Sequence, residues 1–141
     1  MEWSFDATDP AVVGAVRREL TGFVERHAEP GARRRLVELV FDELVGNVCR
    51  YAPGPAWVHV DWTDPEPVLH VRDAGPGFSL AQALSVRTRG GLRIVSDVAG
   101  PVHVAHHRRQ GADVSVRLPI SRADEPVALT LGTAGGLLPA P

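Results

Sequence analysis

Glu43 and Asn47 stand four residues apart inside an apolar run that reads as helix. A carboxylate and a carboxamide one helical turn apart share a face and can meet the same ligand. An exposed polar face is the plainer alternative, because Glu38, Asp42 and Arg50 also dot the run. The setting favours a site: the neighbouring positions are so apolar that a carboxylate at their edge needs a partner or a purpose. A second segment, Asp73-Ala74-Gly75-Pro76-Gly77-Phe78, follows an alternating, strand-like run. Asp before spaced glycines is common in plain turns. At a strand end, however, a carboxylate can accept a hydrogen bond from the exocyclic amine of adenine, and glycines without Cβ leave room for a purine. A third segment, Gly90-Gly91, precedes a short helical pattern at Leu92, Ile94, Val95 and Val98. Free N–H groups at a helix start attract anions, and glycines let phosphate approach. A loop end is the alternative there, and Arg87, Arg89 and Arg93 flank it. The glycine-lysine ending of a P-loop and the G-x-G-x-x-G dinucleotide fingerprint are both absent. Together the three segments suggest a nucleotide site.

The elements that must position these residues can be read from periodicity. Trp3 and Phe5 alternate with polar residues as a first strand. Thr8-Asp9-Pro10 signals a helix start, and Val12, Val13, Val16, Leu20, Phe23 and Val24 give it one apolar stripe. A second helix spans about Ala32 to Tyr51 and is apolar over more than a stripe, as a central core element would be. Trp57–Trp62 and Val68–Val71 read as a hairpin, with Thr63–Pro67 as its turn. The stretch from Ala74 to Gly91 lacks clear period and reads mainly as loop. Two more strands follow, Val102–His106 and Val114–Leu118, around a Gln110-Gly111 turn. Strands in hairpin pairs and grouped helices predict a two-layer α/β sandwich with a mixed, mainly antiparallel sheet backed by helices. Residues 1–120 form the expected domain, and 121–141 an expected poorly ordered tail.

The chain of 141 residues suits one domain. Its net charge of -2 argues against a polyanion partner such as nucleic acid. No membrane-length apolar run or basic-then-apolar leader is present, and the single cysteine, Cys49, cannot form an internal disulfide. A reducing, cytoplasmic location is the expectation. The histidines, His27, His59, His70, His103, His106 and His107, show no recognisable metal-ligand spacing and are expected on surface and strand positions.

An acid-and-amide helix, then a strand ending in Asp-x-Gly-x-Gly, then a glycine-led helix, in that order, resembles the GHKL ATP-binding superfamily with its Bergerat-type fold. Glu43–Tyr51 is similar to the family's N-box, Asp73–Phe78 to its first glycine box and Arg89–Val95 to its second. Within the superfamily, Glu43-Leu44-Val45-x-Asn47 followed by Arg50-Tyr51-Ala52 resembles the anti-sigma-factor serine/threonine kinases. The resemblance implies ATP and Mg²⁺ as cofactors, Asn47 as the metal ligand and Glu43 as general base. It gives Asp73 to adenine, with Gly75 and Gly77 beside it, and gives the phosphates to the backbone of Gly90, Gly91 and Leu92. It further implies a sigma factor and a STAS-type anti-anti-sigma protein as partners, and a homodimer. Two departures stand out. Arg89 replaces the first glycine of the second box, and Gly111-Ala112 replaces a Gly-Thr whose hydroxyl helps bind adenine. They leave a second reading beside the kinase, a non-catalytic module of the same fold that sequesters a partner.

Overall fold

A computed structural model of the chain describes residues 1–76, 91–106 and 111–123. The order is β1 (Glu2–Asp6), α1 (Pro10–His27), α2 (Arg34–Tyr51), β2 (Pro55–Asp61), β3 (Val68–Asp73), α3 (Gly91–Ala99), β4 (Val102–His106) and β5 (Ala112–Arg117). The strands form one sheet in the order β1-β2-β3-β5-β4. Every pairing among the described residues is antiparallel, so the sheet is less mixed than the sequence suggested. Helices back one face of it, which gives the expected two-layer sandwich.

Local chemistry explains the elements. The Asp9 carboxylate caps α1 by accepting from the N–H groups of Ala11 and Val12, and Pro10 supplies the first helical turn without a wasted donor. Val16, Leu20 and Val24 of α1 are buried, as are Val37, Val40, Phe41, Leu44, Val45 and Val48 of α2. These side chains meet the inward residues of the sheet at a period of two: Trp3 and Phe5, Val58 and Val60, Leu69 and Val71, Val114 and Val116. Leu92 and Val95 join the same core from α3. Outside the core, Arg17 of α1 grips the Asp42 carboxylate of α2 through two hydrogen bonds of 2.8 and 2.9 Å. α2 begins at Arg34, two residues later than the pattern indicated, because Ala32 and Arg33 are taken up in a tight hydrogen-bonded turn.

Ser121–Ala123, the first residues of the expected tail, are held by the domain. Glu29 N–H donates to the Ser121 carbonyl at 3.0 Å, Arg122 N–H to that of Pro65 at 2.8 Å, and Ala123 N–H to that of His27 at 2.9 Å. The rest of that tail and the loop positions 77–90, including Gly77 and Gly90, lie outside the described residues. No described helix is long and apolar enough to cross a membrane.

Candidate nucleotide site

The site is organised along the C-terminal half of α2, where Glu43 and Asn47 are half-buried between the core and the start of α3. The period of the helix sends Leu44, Val45 and Val48 inward and leaves this polar pair at the edge of the buried stripe. α3 opens directly on it. A Cβ added to buried Gly91 would lie 2.6 Å from Glu43 Oε2 and 3.5–3.6 Å from the two amide atoms of Asn47. Only a glycine lets the first turn of α3 approach both side chains this closely. That turn carries N–H groups without intrahelical partners, so the Glu43 carboxylate faces the positive end of a helix dipole. Leu92 is buried in the core. What it can offer a ligand is therefore its backbone.

Asn47 Oδ1 accepts a hydrogen bond of 3.0 Å from the Arg50 guanidinium, one turn further along α2. This contact fixes the carboxamide and places a cation beside the amide oxygen. Arg50 itself is exposed and lies 6.0 Å from the Tyr51 ring centre.

The second corner is built around Asp73, the last residue of β3. Its side chain falls on the inward face with Leu69 and Val71, and it is one of two buried polar or charged residues in the described core, the other being Thr21. Asp73 Oδ1 accepts from Gly75 N–H at 2.8 Å and from Ala112 N–H at 3.4 Å. The second bond comes from β5, so the strand neighbouring β3 helps to fix the carboxylate. Two glycines make this possible. Gly75 stands where a Cβ would meet Ala52 Cβ at 2.5 Å, and Gly111 where a Cβ would lie 1.7 Å from the Asp73 carbonyl oxygen. Gly111 also has φ +77°, a conformation that favours glycine.

Ala52 ties the two corners together. It follows α2 directly and touches the Gly75 position. Asn47 lies five residues earlier, about 7.5 Å along the helix axis. One helix thus carries an acid and an amide against a helix start, and its end abuts a buried acid at a strand terminus.

Of the site residues expected from sequence, the structure brings Glu43, Asn47 and Gly91 together at one corner and Asp73 and Gly75 at the other. Three further residues were not read as site residues. Gly111 looked like a turn glycine, yet it underlies Asp73. Ala112 lacks the expected hydroxyl, but its backbone N–H still reaches the carboxylate. Ala52 matters for its smallness. Gly111 and Ala112 stood out only as a departure from the family's Gly-Thr, and Ala52 was a small residue at a helix end with no chemistry of its own.

Residues 32–122 match the family model described as histidine kinase-, DNA gyrase B-, and HSP90-like ATPase. No curated protein matches the chain by sequence. Solved structures share its fold, among them the following two. One is full-length ShkA in complex with AMPPNP, with a TM-score of 0.57 and 20% identity over 86% of this chain. The other is the Acinetobacter baumannii histidine kinase AdeS, with a TM-score of 0.50 and 18% identity over 84% of this chain. The chain spans 32% of the first and 66% of the second.

Proposed function

This chain belongs to the histidine kinase-, DNA gyrase B-, and HSP90-like ATPase family, and from that premise we propose that it binds Mg-ATP between its two acid corners and transfers phosphate to a protein hydroxyl. The observation that carries the proposal is the close approach of Gly91, at the start of α3, to both Glu43 and Asn47. It supports this reading because a carboxylate, an amide and the N–H groups of a helix start, which have no intrahelical partners, surround one point.

In this reading Asp73 selects the base. Its Oδ1 is committed to backbone, so the second carboxylate oxygen accepts from the adenine amine. The N–H groups at the start of α3 bind phosphate oxygens, and Arg50 adds positive charge beside them. Asn47 Oδ1 fits Mg²⁺ as a hard oxygen ligand. Among the described residues no group of three or more His, Cys, Asp or Glu could hold a metal ion, so phosphates and water would complete the shell. Held there by Asn47, such an ion would supply neutralisation of the charge that develops during phosphoryl transfer. Glu43 takes the proton of the attacking serine or threonine hydroxyl as that oxygen bonds to the γ-phosphorus and ADP leaves. The resemblance in the α2 segment supports a STAS-type anti-anti-sigma protein as the phosphate acceptor and a sigma factor as the inhibited partner.

The second reading, a sequestering module without turnover, draws on the Arg50 guanidinium, which holds the same amide oxygen a metal would need. One experiment separates the two. Calorimetric titration with Mg-ATP should show binding by the wild type and a loss of about 10–100-fold in D73N. Asparagine there keeps Oδ1 for Gly75 and Ala112 but turns the other atom from acceptor to donor. E43A should still bind Mg-ATP and fail to phosphorylate an anti-anti-sigma partner. Undiminished transfer by E43A would remove Glu43 as the base, and absence of any ATP binding by the wild type would select the sequestering module.

A further inference from the structure

The face of the sheet opposite the helices carries a row of side chains drawn from all five strands. Register aligns Glu2 of β1 with His59 of β2, His59 with His70 of β3, His70 with Ser115 of β5, and Ser115 with His103 of β4. His59 and His70 are a directly opposed pair on β2 and on β3, the central strand. Their ring centres are 5.9 Å apart. Each has a carboxylate on its outer flank: His70 Nδ1 lies 3.3 Å from Asp113 Oδ1 of β5, and His59 Nδ1 lies 3.9 Å from Glu2 Oε2 of β1. Both rings are partly open to solvent, with side chains 44% and 34% exposed.

Each ring has an acidic neighbour on the strand beyond it. A carboxylate beside Nδ1 favours the proton on that nitrogen and leaves Nε2 with the lone pair. The same outer contact supports histidines that ligate metals, where it fixes the tautomer and raises the basicity of the ligating nitrogen. Here His70 makes it with Asp113 at hydrogen-bond distance, while the Glu2 carboxylate stands further off, at 3.9 Å from His59. Two imidazoles that share one ion at about 2.0–2.1 Å per bond can have ring centres up to about 6.5 Å apart. The observed spacing lies inside that span. Arg72 of β3 is turned over the Trp57 ring at 4.5 Å; it lies in the next row of the sheet, opposite Asp113, whose carboxylate reaches diagonally to His70.

We propose that His59 and His70 form a two-nitrogen site on the open face of the sheet for a borderline divalent transition-metal ion, with Glu2 and Asp113 as outer-shell partners. Water fills the remaining positions, since no third ligand converges among the described residues. Imidazole ligands select copper, nickel or zinc and reject magnesium. The site stands on the other side of the sheet from Asp73 and does not depend on nucleotide binding.

The test is calorimetric titration of the full chain with Ni²⁺, and separately with Zn²⁺ and Mg²⁺, in wild type, H59Q, H70Q, D113N and H103Q. H59Q and H70Q should each weaken the tightest Ni²⁺ and Zn²⁺ event at least tenfold. D113N should weaken it by about 10-fold or more, H103Q should match the wild type, and Mg²⁺ should give no such event. Ni²⁺ should also broaden ring ¹⁵N signals of two histidines in the labelled wild type, and those signals should be the ones absent from H59Q and H70Q. Unchanged binding in H59Q or H70Q, equal loss in H103Q, or broadening confined to other histidines would overturn the proposal.

Discussion

The two corners of the nucleotide site are built of different material. Around Asp73 the close contacts are made by backbone and by the shortest side chains: the Gly111 position against the Asp73 carbonyl, the Gly75 position against Ala52, and backbone N–H groups on the carboxylate. Around Glu43 and Asn47 the close contacts are the far ends of longer side chains laid against one glycine. The first corner has no degrees of freedom to give, whereas the second can rearrange by turning side-chain torsions. A rigid purine suits the first. In the proposed function, phosphates, a metal and a reacting hydroxyl, which would change position during transfer, suit the second.

Substitution of the three glycines tests that contrast. G111A should have the largest effect. Its Cβ would overlap a backbone carbonyl at a positive φ, so the β3–β5 junction would have to move, at a cost of about 3 kcal/mol or more. Chemical denaturation should show this as a much lower midpoint, and a near-wild-type midpoint would mean that the Asp73 corner yields more easily than its contacts indicate. G75A should follow, because the nearest atoms are Cβ and Cα of Ala52 at the end of a helix. Overpacking there should cost about 1–3 kcal/mol and weaken ATP more than it weakens metal dependence. G91A should be mildest for stability, at about 1 kcal/mol or less, since the first atom met is a rotatable carboxylate oxygen. Its signature should be slower phosphate transfer, read in the kinase assay, with nearly unchanged melting. A drop in melting as large as that of G111A would erase the distinction between the corners.

Much of this was legible in the chain. The apolar density of Val37–Val48 marked α2 as a central helix, and the four-residue step put Glu43 and Asn47 on one face of it. Asp73 was conspicuous because it closed an alternating strand before spaced glycines. Arg50 was legible as a charge on the helix and as part of the Arg50-Tyr51-Ala52 likeness, but nothing local says that its guanidinium turns back to the Asn47 amide. Gly111 was harder still. Its partner, Asp73, is 38 residues away, and the contact exists because β5 inserts between β3 and β4.

By itself the sequence determined the period of each element, the hairpin grouping and the identity of the polar groups in apolar surroundings, all of which depend on residues a few positions apart. Only the tertiary structure decided how the hairpins and β1 were ordered in the sheet and in what register. That choice set Gly111 beneath Asp73, and it placed Glu2 and Asp113 on the flanks of His59 and His70. Strand order is fixed by how the whole core closes, so side chains distant along the chain acquire a common chemistry only when the sheet has assembled.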